Sequence, residues 1–169
     1  MVYYHSSDLS PTIGTVFQGR GDAYKSEWES TSFYNSLELY RPKDKTAHKD
    51  AVFVCNDLES LQYCGGLEET ILILKIEGGI SWHDMNWSTE ISSLVSDGIL
   101  VENRLVREAS ENYWSGKPHT REPLWEGIAR KAIVVAVFDY NQADFLIDAE
   151  RDRLTLKFQR SVVSQLQNH

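Results

Sequence analysis

Two side chains near opposite ends of the chain have the chemistry of a catalytic pair. Glu126 sits in Pro123-Leu124-Trp125-Glu126-Gly127-Ile128, just ahead of the apolar run Ala132–Phe138. If it faces inward, burial disfavours its charged form and raises its pKa unless a partner compensates. A carboxylate fixed in a dry cleft stabilises positive charge that develops in a transition state. The competing readings are an exposed residue on an alternating strand, or an ion pair with Arg121, Arg130 or Lys131. His5 lies in Val2-Tyr3-Tyr4-His5-Ser6-Ser7. On a strand, Tyr3 and His5 share one face, and Tyr4 and Ser6 the other. A single histidine is commonly satisfied by its own surroundings, but the first strand ends here, and strand ends frame clefts.

A third concentration of functional groups is Trp82-His83-Asp84-Met85-Asn86-Trp87. It follows a strand pattern and Gly78-Gly79, so it reads as a loop of the kind that carries function. Adjacent His83 and Asp84 point different ways on an extended chain, and the spacing is not that of zinc ligands on a helix face. Capping of the next helix by Asp84 or Ser88 is the structural reading, with ring stacking by Trp82 or Trp87 as the functional one. The glycines at 14, 19 and 21 form neither a dinucleotide fingerprint nor a P-loop, and no GxSxG is present. Ser30-Thr31-Ser32 falls in a candidate helix and reads as coincidence rather than as a nucleotide-binding hydroxyl motif. Cys55 and Cys64 fit neither a CxxC nor a zinc knuckle. Both are expected to be reduced, buried thiols of a cytoplasmic protein.

The elements that must position these groups follow from pattern. Residues 2–6 read as a strand. Residues 10–22 read as loop, with a brief strand at Thr15-Val16-Phe17. Residues 23–40 look helical, ended by Arg41-Pro42, although the hydroxyl run at 30–32 weakens the pattern. Lys43 to Asp50 is charged and reads as a surface loop. Ala51–Cys55 is a buried strand. A helix capped by Asn56 or Asp57 runs to Tyr63, with Gly65-Gly66 beyond. Thr70–Ile76 is the next strand. Helices are expected over 88–97, with Ile91, Leu94 and Val95 on one face, and over 101–114, with Leu105, Val106 and Ala109 facing in. Ser115-Gly116-Lys117-Pro118 breaks the latter. Strands over 123–128, 132–139 and 153–158 complete an α+β domain with a central, largely buried sheet.

Composition bounds the function. The 169 residues fit one domain, 1–169, with an ordinary globular balance of 41% hydrophobic and 25% charged residues. A net charge of -8 disfavours a non-specific grip on phosphate backbones or anionic membranes, so a nucleic-acid partner is not expected. No window approaches the ~18 apolar residues of a membrane span, and the N-terminus lacks a signal-peptide pattern. Five Trp and eight Tyr can fill a core or line a pocket for flat rings.

Three segments together resemble the ADP-ribosyltransferase-like family. Val2–Ser7 is similar to its first-strand YHGT/S motif, and Ala51–Asp57 with Tyr63 to the strand-then-helix block that follows. Trp125–Ile128 with Ile133–Val137 is similar to its late glutamate block. The resemblance implies a split, bent, mainly antiparallel sheet with flanking helices and NAD, as substrate, in the cleft. By that analogy His5 holds the ribose of the nicotinamide half and Ser6 offers backbone contacts to the amide. Phe53 packs on the nicotinamide, and Glu126 stabilises the oxocarbenium-like species as nicotinamide leaves. The chain departs from the family at Ser6, which replaces a glycine, and at Phe53, which lacks the usual tyrosine hydroxyl. Leu124 stands where arginine-modifying members carry Glu or Gln, which argues against arginine as acceptor. In the compact rifampin-modifying branch the acid follows the central strand, a position that corresponds to Asp84. The expectation is therefore an NAD-dependent transferase whose acceptor is a protein, nucleic acid or small molecule. The alternatives are an RNA 2′-phosphotransferase-like enzyme and an inert binding or inhibitor module on the same fold.

Overall fold

The computed structural model describes residues 2–57, 59–63 and 70–139. Among these residues, seven strands form two antiparallel sheets. One has four strands in the order β1 (Tyr3–Ser7), β4 (Thr70–Ile76), β7 (Lys131–Asp139) and β2 (Val16–Gln18). The other has three, β3 (Val52–Val54), β6 (Trp125–Ala129) and β5 (Ile80–Asp84). The chain is thus α+β, as expected, but with two packed sheets in place of one central sheet. Tyr3, Leu72, Leu74, Ala132 and Val134 of the larger sheet meet Val52 and Val54 of the smaller between the layers. The chain changes sheet twice at one corner. The β4–β5 turn, with Gly78 at positive φ, runs beside the β6–β7 turn. Glu77 N donates to Lys131 O at 3.0 Å, and the two side chains form an ion pair at 2.6 Å.

Among the described residues there are four α-helices: α1 (Asp22–Trp28), α2 (Ser32–Leu39), α3 (Met85–Ser96) and α4 (Arg104–Ser115). The last three contribute Leu37, Ile91, Val106, Ala109, Tyr113 and Trp114 to a second core against Ile128 and Phe53 on the outer face of the smaller sheet. On α4, Val106, Ala109 and Tyr113 fall at helical spacing and are buried, the stripe that a core-facing helix requires. Leu105, expected to face in, is 46% exposed. Asn103 caps α4 by accepting from Leu105 N, and Gly116 ends it in the left-handed region at φ 70°.

Several expectations need correction. The helix expected over 23–40 is two helices, because Thr31 leaves the helical path, extends its backbone and accepts Tyr34 N at 3.2 Å. Hydroxyl side chains favour such caps over helix interiors, so the Ser30-Thr31-Ser32 run breaks the helix. The segment read as a loop at 81–86 is strand β5 running directly into α3, with Asp84 as its cap. A one-turn 3₁₀ helix, His48–Asp50, interrupts the charged stretch, and its histidine is only 4% exposed. Cys55 is buried as expected, but it is disulfide-bonded rather than a reduced thiol. Cys64 and the strand expected at 153–158 lie outside the described residues. No helix among the described residues is long and apolar enough to cross a membrane.

Candidate functional site

Strands β1 and β3 touch at one point and then part. Tyr4 and Cys55 exchange two backbone hydrogen bonds, each 2.9 Å, in an isolated antiparallel bridge. Continued pairing would bring Ser6 opposite Phe53. Instead, the His5 ring enters the gap and its Nδ1 lies 2.7 Å from Phe53 O. A carbonyl only accepts, so Nδ1 carries the proton. Burial lowers the His5 pKa, against the opposing pull of Phe53 O and Asp8, so the ring is neutral with its Nε2 lone pair remaining. Phe17 packs on the ring at 4.9 Å. His5 is therefore a wedge in a fork of the β structure. Ser6 is nearly buried and points to the opposite face of β1, as the strand alternation requires.

Glu126 is on another surface. The register pairs His83 with Glu126, Ser81 with Ile128 and Phe53 with Ile128. Strand alternation then puts Phe53, His83, Glu126 and Ile128 on the face of the smaller sheet that meets the helices. Glu126 as a residue keeps partial solvent contact, but its carboxyl is closely surrounded by protein. None of the expected basic partners reaches it. Tyr113 of α4 donates to its Oε1 at 2.8 Å. Burial raises the Glu126 pKa, while His48 and the Tyr113 hydrogen bond pull it part of the way back.

Tyr113 leads on to a buried chain of polar groups. His48 Nε2 lies 3.2 Å from the Tyr113 hydroxyl, and His48 Nδ1 3.0 Å from Glu38 Oε1. Glu38 also accepts His48 N at 2.9 Å and Arg41 Nε at 2.8 Å. Burial alone would push the Glu38 carboxyl up, but the His48 side-chain and backbone donors and Arg41 outweigh it and hold the pKa at about 2. His83 stacks on Tyr113 at 4.7 Å, and its Nδ1 donates to Tyr113 O at 2.8 Å. Its Nε2 lies 2.9 Å from the Ser81 hydroxyl. Burial is the main reason its pKa falls to about 4, so it is neutral.

Aromatic rings close the site. Phe53 stacks on His48 with 13° between planes and 5.5 Å between centroids, and Tyr24 of α1 meets Phe53 at 6.1 Å. Burial and the Glu126 charge both raise the Tyr24 pKa, which places its hydroxyl as a neutral donor in the field of that carboxyl. The Trp82 ring packs on Tyr3, and the Trp87 ring on His119. The open hollow lined by Gln18, Gly19, Asp50 and Arg130 contains none of the expected site residues.

Asp84 has a different setting from Glu126. It is fully buried, and Oδ1 accepts Asn86 N at 3.0 Å, Asn86 Nδ2 at 2.9 Å and Leu124 N at 3.0 Å. Oδ2 accepts His119 N at 2.7 Å. The two bonds from Asn86 hold the start of α3, and those from Leu124 N and His119 N tie the β5–α3 junction to the 117–124 segment that leads into β6.

Of the five residues expected from the sequence, the structure links His5 with Phe53 directly. Glu126 shares a sheet face with Phe53. Among the described residues, no hydrogen bond or ion pair joins His5 or Asp84 to Glu126. Sequence reasoning missed Glu38, His48, Tyr113 and Tyr24. Tyr113 had a usable signal, since it continues the buried Val106–Ala109 stripe with a polar tip that must find a partner. No protein-family model matches this chain, and no curated protein matches it.

Proposed function

We propose that the protein is an NAD-dependent ADP-ribosyltransferase in which Glu126 is the carboxylate that faces the reacting ribose. The observation that carries this reading is Glu126 itself: an inward carboxyl, raised in pKa and held at a fixed position by Tyr113 in an aromatic enclosure. Such a group is pre-aimed and needs no solvent reorganisation when positive charge appears at the anomeric carbon. The fork between β1 and β3, wedged by neutral His5, lies on the far edge of β3 and offers one acceptor nitrogen to a ribose hydroxyl. Phe53 connects the two places, with its carbonyl on His5 and its ring in the Glu126 enclosure. The fold is compatible with an ADP-ribosyltransferase-like split sheet. Asp84 is the weaker candidate for the acid, because four donors already occupy its oxygens.

A second reading, an inert binding module, is favoured by one observation. His5 Nδ1, both Asp84 oxygens and Glu126 Oε1 already hold protein partners. One experiment separates the readings. NAD at millimolar concentration should raise the unfolding temperature by mass action, and labelled NAD should lose nicotinamide to water or to an acceptor. Glu126→Gln should cut that turnover by roughly 10²–10³-fold, the scale for loss of one preorganised electrostatic group, while NAD still shifts the melt. Absence of any thermal shift rules out both NAD use and transfer. A shift without turnover supports the inert module.

A further inference from the structure

The Tyr113 hydroxyl has one proton and two buried neighbours, Glu126 Oε1 at 2.8 Å and His48 Nε2 at 3.2 Å. That simple count limits the charge states of the whole chain. If Glu126 is a carboxylate, Tyr113 donates to it, and the hydroxyl oxygen must accept from a protonated His48 Nε2. Glu38, held ionised, accepts from Nδ1 in either state. His48 is then an imidazolium with Glu38 as its counter-ion. If Glu126 is protonated, it donates to the Tyr113 oxygen, Tyr113 donates to Nε2, and His48 is neutral with its proton on Nδ1. The two states differ only in where one proton sits.

We propose that Glu126 and His48 share a single proton through the Tyr113 hydroxyl, so that Glu126 ionises by passing its proton inward rather than to solvent. The step balances as follows. The Glu126 O–H bond breaks as a new O–H bond forms on Tyr113. The original Tyr113 O–H breaks as N–H forms at His48 Nε2. Glu126 gains one negative charge and His48 one positive charge, and the net charge of the site is unchanged.

The surroundings fit both end states. On one side, Glu38 of α2, itself paired with Arg41, faces the imidazole and stabilises its charged form. On the other, Tyr24 of α1 and Tyr113 of α4 present neutral hydroxyls. Tyr34 of α2 lies within the field of Glu38. His83 of β5, neutral and stacked on Tyr113, adds no competing charge, and Lys45 acts on it at longer range. Phe53 and Trp114 pack on the His48 ring at 5.5 and 5.0 Å, and the ring is 4% exposed, which shields the wire from water.

This inference rests on the proposed role of Glu126. It makes His48 and Tyr113 positioning residues that deliver the carboxylate when positive charge develops on the bound ribose.

The test uses the intact, ligand-free chain labelled with ¹⁵N in histidine, so its outcome is independent of any NAD chemistry. The His48 ring nitrogens are titrated in the wild type, Glu126→Gln, Tyr113→Phe and the double variant. Glu126→Gln should lower the His48 proton affinity by about tenfold or more, one pKa unit. In the Tyr113→Phe background the same change should shift it several-fold less. The relay is overturned if His48 titrates identically with and without the Glu126 carboxyl, or if the shift is the same once the hydroxyl is gone. Coupling without NAD cleavage would remove the transferase reading and leave the relay standing. Cleavage without coupling would do the reverse.

Discussion

Replacing Asp84 tests whether its carboxylate is structural. In Asp84→Ala, Leu124 N and His119 N lose their acceptor, and α3 loses its cap at Asn86 N. A buried donor left unsatisfied costs about 1–3 kcal/mol, and a lost N-cap about 1 kcal/mol. The His119 side of the knot borders an exposed segment and regains water, so the sum is about 3 kcal/mol rather than the full total. For a chain of this size that lowers the unfolding temperature by about 6–12 °C. Asp84→Asn is the sharper probe. Its Oδ1 can keep the bonds to Asn86 and Leu124, but its amide then sets N–H against the His119 N–H, at a cost of about 1–3 kcal/mol. Circular dichroism melts and urea titrations at one pH read both variants. If both remain within about 0.5 kcal/mol of wild type, the range of ordinary surface changes, the tie described here is wrong. If Asp84→Asn melts normally but abolishes NAD cleavage, Asp84 is the acid and Glu126 is not.

Three further outcomes are expected. Glu38 and His83 are both depressed in the folded state, so each adds stability at higher pH that is lost on acidification. The loss runs from pH 6.5 to about 4 for His83 and from pH 4.5 to about 2 for Glu38. Urea unfolding across pH 2–7 should show both limbs, and Glu38→Gln should flatten the lower one. The Glu126 pKa is raised on folding, which carries the opposite sign. Glu126→Gln should therefore raise the unfolding midpoint at pH 8, with the gain shrinking as pH falls, and a gain that grows toward acid would contradict the burial described. Gly19→Ala should destabilise by about 1–3 kcal/mol, because the new Cβ would collide with the backbone of Asp50 and Ala51. In urea unfolding, wild-type stability would show that this close approach relaxes freely.

What could be read from the sequence was local, and what could not be read depends on contacts distant in the chain. Val52–Val54 and Ile71–Leu74 are uniformly apolar and read as buried strands. Asp84 was one of two caps, with Ser88, that the helical pattern beyond it allowed, and Asp84 is the one that caps α3. His48 was hidden because Lys43, Asp44, Lys45, Lys49 and Asp50 around it signal exposure. Its burial is imposed by Glu38, 10 residues earlier, and Tyr113, 65 residues later. Trp82-His83-Asp84 looked like a loop because its residue types are unusual for a strand. They are tolerated there because alternation sends Trp82 to the inter-sheet core and His83 to the helical layer. The inward direction of Glu126 was open from sequence, since that depends on which face of β6 the helices cover.

The wedge at His5 has a consequence for how this domain can diverge. Backbone pairing fixes β1 against β4 and β3 against β6 along their lengths, whereas β1 and β3 share the single Tyr4–Cys55 rung, beside which the His5 imidazole bridges to Phe53 O. The aperture of the fork is therefore written in a side chain, whereas the rest of the framework is written in main-chain ladders. Substitution at position 5 can widen or close that mouth with both sheets left intact, so the width of the fork can drift faster than the fold that holds it.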